Sequence, residues 1–294
     1  MISKIAVLAI VLSSLEASVS AAPLIYGTAD SGERAASTLY SVLPETGAAT
    51  AIGVIGFDQV DSLAFAPTGT LFGVGQNGAA KWVLLKIDLT TGAGTAVGAT
   101  GLEIPFRDIS FRSDGTLFGY TRPADRKLKS GLVYSINTDT GAATLVGNTV
   151  GGVDECAPVA FSSAGALYAV SGRNLTTIGA NAGPVTALHY SSALGGSSSQ
   201  ANTLKFDPNT GTLWALFANG SNARTSYLAK IDVKTGDVGA VGRTLGGLRG
   251  LAIEQPRNIN TVPLPSSLLF LITGVLALLG WNRWMRSRRS FVAN

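Results

Sequence analysis

The chain has 294 residues, of which 46% are hydrophobic, and its 22 basic and 18 acidic side chains give a net charge of +4. Residues 22 to 260 contain equal numbers of basic and acidic side chains, so the body of the chain lacks the basic surface that a nucleic-acid partner requires. The single cysteine and single histidine exclude an internal disulfide and a structural zinc site built from these residue types.

The first 21 residues have the layout of a secretory signal peptide. Lys4 precedes an apolar run from Ile5 to Leu15, and small residues follow as far as Ala21. The apolar run is short for a membrane span, which makes an uncleaved N-terminal anchor the weaker interpretation. We therefore expect residues 1–21 to be removed during export.

Residues 22–257 contain a repeat with a spacing of roughly 45 to 50 residues, and each copy has four short runs typical of β-strands. This pattern predicts the four-stranded blades of a β-propeller. The first strand of each copy carries two apolar residues two positions apart, which places both side chains on one sheet face. The pairs are Leu63 and Phe65, Ile109 and Phe111, Val159 and Phe161, Leu204 and Phe206, and Leu251 and Ile253.

A second strand with an aromatic residue at a fixed position follows every first strand except the last. These aromatic residues are Phe72, Phe118, Tyr168 and Trp214. Tyr26, near the N-terminus, aligns with Phe72 and supplies the missing fifth aromatic. The sequence therefore predicts an all-β, five-bladed propeller in which the N-terminal strands join the C-terminal strand in one blade and leave no free sheet edge. A sixth blade between Ala187 and Gln200, and a solenoid or sandwich, remain alternatives.

Four charged residues at the starts of the first strands form the candidate binding site. The position four residues before the second apolar residue of each first strand is expected at the mouth of the central channel. It is occupied by Asp61, Arg107, Ala157, Asn202 and Arg249. Asp108 lies one position further on. Two arginines and no glutamate make a poor metal cage, so no metal or other cofactor is predicted. The same residues suit a small anion or carboxylate, or a structural ring of ion pairs.

The last part of the chain has three segments in sequence. Residues 258–265 form a polar linker ending in Val262, Pro263, Leu264 and Pro265. Residues 266–284 form an apolar segment that is expected to be a transmembrane helix. Residues 285–294 form a basic tail. The arginines at this end are Arg283, Arg286, Arg288 and Arg289, and they predict a cytoplasmic tail with the propeller outside.

This order of a short Pro-x-Pro motif, one transmembrane helix and a basic tail resembles the PEP-CTERM sorting signal of Gram-negative bacteria. The resemblance covers about the last 30 residues, and Leu264 stands where the family most often has glutamate. It implies recognition by a membrane exosortase, cleavage near Pro263 to Pro265, and delivery to the cell surface or extracellular matrix. An ordinary C-terminal membrane anchor is the alternative.

Together these features predict an exported, surface-sorted propeller that binds or scaffolds extracellular polysaccharide or protein and is not an enzyme. Two other classes of function remain open. One is a hydrolase of the lactonase or esterase type that uses the channel mouth, and the other is a purely structural matrix component. The sequence does not identify the ligand.

Overall fold

The structure is a computed structural model that describes residues 24–30, 35–121, 131–148, 157–178, 186–194, 200–218 and 225–254. The expected signal peptide, linker, sorting motif, transmembrane helix and basic tail all lie outside these residues. Within the described ranges, no helix has the length and apolar character needed to cross a membrane.

The described chain is almost entirely β-strand. The strands of the first half are β1 (Ile25–Ala29), β2 (Ala36–Val42), β3 (Ala49–Phe65), β4 (Leu71–Gln76), β5 (Trp82–Ile87), β6 (Gly94–Ala99), β7 (Asp108–Phe111), β8 (Leu117–Thr121), β9 (Leu132–Ile136) and β10 (Ala143–Asn148). The strands of the second half are β11 (Val159–Phe161), β12 (Leu167–Ser171), β13 (Asn174–Ile178), β14 (Thr186–Ala187), β15 (His189–Tyr190), β16 (Gln200–Phe206), β17 (Leu213–Ala218), β18 (Ser226–Ile231), β19 (Asp237–Thr244) and β20 (Leu248–Ile253). The one helical element among the described residues is a 3-10 turn at Ser192–Leu194.

The strands form antiparallel units of four, and the all-β prediction is confirmed. Unit 1 has the order β20-β1-β2-β3 and unit 2 the order β3-β4-β5-β6, because β3 is long enough to belong to both. Its residues 49–58 pair with β2 and its residues 58–65 pair with β4. Unit 3 is β7 to β10, unit 4 is β11 to β14, and unit 5 is β16 to β19 with β15 added in parallel to β19.

The first strand of each unit lies next to the first strands of two other units. β20 neighbours β3, β3 neighbours β7, β7 neighbours β11, β11 neighbours β16, and β16 neighbours β20. The five strands therefore follow one another in cyclic order. β1 pairs on one side with β20, where Tyr26 faces Ala252, and on the other side with β2, where Tyr26 faces Ser41.

Aromatic side chains connect each unit to the next one. The aromatic residue of a second strand packs against the first-strand phenylalanine of the following unit, with ring centroids 5.1–5.7 Å apart. The pairs are Tyr26 with Phe65, Phe72 with Phe111, Phe118 with Phe161, and Tyr168 with Phe206. Trp214 and Ile253 belong to one buried cluster at the corresponding place between units 5 and 1. Tilted and edge-on aromatic pairs each stabilise a fold by about 0.5–1.5 kcal/mol beyond the burial of their surface.

The last strand of a unit contacts the neighbouring unit at a glycine. A Cβ atom at Gly98 would lie 2.0 Å from the Thr140 oxygen, and one at Gly242 would lie 1.9 Å from the Thr46 oxygen. No side chain fits at these positions, because the strand backbone lies directly against the Thr-Gly turn of the next unit. In unit 4 the equivalent place is held by Ala187, whose oxygen would lie 2.0 Å from a Cβ atom at Gly236. His189 lies two residues further on, in β15; it is exposed, and its backbone N–H donates to the Gly236 oxygen at 2.8 Å.

Deleting residues 23–28 should destabilise the domain strongly, because it removes most of β1 and leaves β20 and β2 with unpaired edges. Deleting Gly78 and Ala79 from an exposed turn serves as the control, since a Cβ at Gly78 would have no neighbour within 4 Å. The measurement is the thermal unfolding midpoint of each chain. Equal midpoints for the two deletions would contradict the role of β1.

Candidate functional site

Asp61 and Arg249 form an ion pair across the junction of units 1 and 2. Asp61 lies on β3 and Arg249 on β20, and Arg249 Nη1 donates to Asp61 Oδ2 at 3.1 Å. The nearby Asp61 carboxylate raises the pKa of Arg249. The side chains remain 34% and 54% exposed, so the pair is open to a partner and its own contribution to stability is small, about 0–1 kcal/mol.

A partly buried polar chain lies near this pair, since the charges of both Asp61 and Arg249 act on the carboxyl of Asp30. The Ser37 hydroxyl donates to Asp30 Oδ1 and accepts the Val60 N–H at 2.9 Å. Burial raises the pKa of Asp30. Gln59 has a φ of 51°, in the left-handed region, and β3 shifts register between Asp58 and Ser62. The bulge therefore fixes the direction in which Asp61 leaves the strand.

Arg107 occupies the equivalent position in unit 3, just before β7. Its side chain is exposed, and its backbone N–H donates to the Tyr120 oxygen at 2.7 Å. Arg107 is thus held by the backbone at the start of a strand that neighbours β3. The first strands β3, β7, β11, β16 and β20 are here called the inner strands. Asp61, Arg107 and Arg249, exposed or half-buried, occupy equivalent positions at the starts of three of them.

Asp108 is placed differently from the other three residues. Its side chain is fully buried and forms an ion pair with Lys205 of β16, which the sequence analysis did not identify, with Lys205 Nζ 2.5 Å from Asp108 Oδ1. The Thr203 hydroxyl and the Leu204 N–H donate to Asp108 Oδ2 at 3.1 and 3.2 Å. The Ile109 N–H donates to Oδ1 at 3.0 Å. The structure therefore joins Asp61 to Arg249 and assigns Asp108 to a separate pair.

Burial acts on both members of the Asp108–Lys205 pair. It raises the pKa of the Asp108 carboxyl and lowers the pKa of the Lys205 ammonium, because each charge has lost its water. The short contact and the additional donors to Asp108 offset this cost, and Lys205 also donates to the Leu204 oxygen at 2.8 Å. The pair links unit 3 to unit 5 across the centre of the molecule.

One signal in the sequence could have identified Lys205. The equivalent positions of the other four first strands hold small residues, namely Ala64, Ser110, Ala160 and Ala252. Lys205 is the exception, and it lies between the apolar residues Leu204 and Phe206. A lysine in such a place requires an acidic partner, although the sequence alone does not say which one.

A cavity of about 310 Å³, here called the basin, lies at the other ends of the inner strands. Its walls come from the last residues of β3, β7, β11, β16 and β20 and from the turns that follow. Neither Asp61, Arg107 nor Arg249 lines it. In the described part of the chain, no three His, Cys, Asp or Glu residues are grouped closely enough to hold a metal ion.

No protein-family model and no curated protein matches the chain. Among solved structures it is similar to a candidate TolB from Agrobacterium tumefaciens, with 15% identity over 77% of this chain and 83% of that one and a TM-score of 0.47. TolB from Acinetobacter baumannii has 14% identity, coverages of 79% and 67%, and a TM-score of 0.46. A candidate 6-phosphogluconolactonase from Bacteroides uniformis has 12% identity, coverages of 75% and 67%, and a TM-score of 0.41. No function is transferred from structures this distant.

Replacing Asp108 by asparagine should lower the free energy of unfolding by about 3–5 kcal/mol, because it leaves the Lys205 ammonium buried without a counter-charge. Asp61→Asn, which breaks the exposed pair, should cost no more than about 1 kcal/mol. Urea unfolding of the full-length chain measures both.

The double variant Asp108→Leu with Lys205→Met separates charge from packing. It should recover part of the loss, since no unpaired charge remains in the interior. If Asp108→Asn lowers the free energy of unfolding by no more than Asp61→Asn does, the buried pair is not a major support of the fold.

Proposed function

We propose that the described strands form a closed five-bladed propeller, with β1 completing the sheet that contains β20. Support comes from the cyclic order of the five inner strands and from the aromatic contact repeated between successive units. The segment 187–200, which is the place for a sixth blade, contains β15 and a 3-10 turn among its described residues. This arrangement favours five blades.

The propeller acts as a binding or scaffold protein on the cell surface or in the extracellular matrix, without catalysis. The observation that carries this proposal is the placement of Asp61, Arg107 and Arg249, exposed or half-buried, at equivalent starts of inner strands. The connecting segments at this end of the inner strands vary in length and chemistry, whereas the turns at the other end repeat a short pattern that ends in glycine, at Gly69, Gly115, Gly165 and Gly211. Variable segments on a regular frame are typical of a binding surface.

An extracellular polysaccharide is the partner that this surface fits best. The Asp61 carboxylate accepts hydrogen bonds, and the Arg249 and Arg107 guanidinium groups donate them, as the hydroxyl groups of a sugar require. The Asp61–Arg249 pair is held in position by the bulge in β3. A preformed pair loses little conformational entropy when it binds.

Export and sorting complete the proposal. Residues 1–21 direct the chain across the inner membrane, and residues 266–284 hold it there with the propeller on the outer side. An exosortase then recognises Val262 to Pro265 and releases the propeller to the surface or matrix. This part depends on the sequence alone, since these segments lie outside the described residues.

Replacing Pro263 and Pro265 by alanine should leave export intact but hold the protein in the inner membrane, because the sorting motif is lost. Asn258→Ala with Asn260→Ala, in the same linker, is the control and should be sorted normally. Fractionation of the producing cells followed by immunodetection measures the outcome. Equal surface delivery of both variants would favour an ordinary membrane anchor.

Replacing Arg107 and Arg249 by alanine together should weaken retention on the purified matrix polysaccharide of the producing cells by about tenfold or more, because two charge-assisted contacts are lost. Lys86→Ala with Lys234→Ala removes the same charge from exposed positions elsewhere and is the matched control. Affinity electrophoresis in gels containing the polysaccharide gives the dissociation constants. Unchanged retention of the arginine variant would refute binding at this surface.

A further inference from the structure

The basin has an apolar wall contributed by all five inner strands. This wall, here called the collar, is made by the last apolar residue of each strand. Its members are Phe65, Phe111, Phe161, Phe206 and Ile253. The phenylalanines are already fixed by their contacts with the preceding unit, so the collar is preformed. A cavity of about 310 Å³ is close to the lower end of the size range of small-molecule sites.

The floor of the basin is polar but has no charge available for an occupant. Lys205 lines it, and the ammonium group donates to Asp108 Oδ1, to the Leu204 oxygen at 2.8 Å and to Thr203 Oγ1 at 3.4 Å. These three contacts use the three donors of the group. Ser110 also lines the floor and accepts the Phe161 N–H at 3.0 Å. A small molecule bound in the basin would therefore make apolar contacts inside it and a charged contact nearer its opening.

Arg112 supplies that charged contact. Its side chain lines the basin and is 40% exposed. Its Nε donates to Asp114 Oδ2 at 2.9 Å, its Nη2 donates to the same oxygen, and the guanidinium carbon lies 5.0 Å from the centre of the Phe118 ring. Nη1 has no hydrogen-bond partner among the described residues. The residues that line the basin include Arg112 and Lys205 but neither aspartate nor glutamate.

We propose that the basin binds a small amphipathic carboxylate, with an aromatic or branched aliphatic body inside the collar and the carboxylate on Arg112. A neutral sugar fits less well, because only the serines of the lining, Ser110, Ser113, Ser162 and Ser163, can pair with its hydroxyl groups, the collar offers them no partners, and unpaired polar groups are costly to bury. This site lies at the opposite ends of the inner strands from Asp61 and Arg249, and it does not depend on the proposed binding of polysaccharide.

The test uses the full-length chain in lipid nanodiscs, with empty nanodiscs as the blank. Phenylacetate and its neutral isostere phenylacetamide are titrated, and saturation-transfer NMR reports their binding. Phenylacetate should bind about tenfold more tightly than phenylacetamide, because only the carboxylate forms a charge-assisted hydrogen bond with the guanidinium.

Two variants should change phenylacetate affinity in opposite directions. Arg112→Gln should abolish the preference for phenylacetate over phenylacetamide. Asp114→Asn should increase the affinity for phenylacetate several-fold, because it releases the guanidinium from its present partner. Arg173→Gln is the control, since that guanidinium lies 4.9 Å from the Tyr190 ring, away from the basin, and both affinities should be unchanged.

Phe161→Leu tests the collar with little loss of volume, and it should weaken the binding of both probes. The thermal unfolding midpoint of each variant confirms that it is folded. Absence of saturable binding, equal affinity for the two probes, or tighter binding of methyl glucoside would each overturn the proposal. Retention on matrix polysaccharide should be unaffected by Arg112→Gln, which separates a failure of this site from a failure of the polysaccharide-binding surface.

Discussion

The contact between a second-strand aromatic and the first-strand phenylalanine of the next unit is the interaction on which the arrangement depends. A twisted four-stranded sheet has two faces to cover, and here each sheet covers its neighbour through this pair. The same phenylalanines then line the basin with the parts of their rings that remain exposed. Packing between units and the shape of the cavity are therefore determined by one set of side chains, which explains why the collar is regular although the connecting segments are not.

Each inner strand has one edge that no strand of its own unit covers, and the backbone groups on that edge are a second constraint on the structure. Backbone groups on such an edge need partners when they are buried. Side chains from other units provide them here: Asp108 accepts the Leu204 N–H, Ser110 accepts the Phe161 N–H, and Ser37 accepts the Val60 N–H. The polar residues at the centre are thus explained largely by the backbone around them. Asp61 and Arg249 are different, because their side chains pair with each other at the surface.

The features of the fold that recur in every unit could be predicted from the sequence, whereas the features that occur in only one unit could not. The alternating apolar pair, exemplified by Leu63 and Phe65, recurs in every copy, and its strands and buried faces could be predicted because local pattern and tertiary packing agree. The partner of Asp108 could not be predicted, since Lys205 lies 97 residues away and reaches it across unit 4. The uninterrupted β3 was also not foreseen. Its passage between two units depends on a bulge near Gln59, whose left-handed backbone is not typical of that residue type.

The pairing of β1 with β20 has a consequence for the order of folding. Tyr26 and Glu254, whose side chains are hydrogen-bonded, are separated by 228 residues, so the first described strand acquires its second neighbour only after the last one has been made. Contacts this distant in sequence form slowly, because a long loop must be closed before any pairing energy is gained. Until then β1 presents an open edge that can pair with another chain. Exchange of β20 between two incompletely folded copies is therefore the expected route of misassembly.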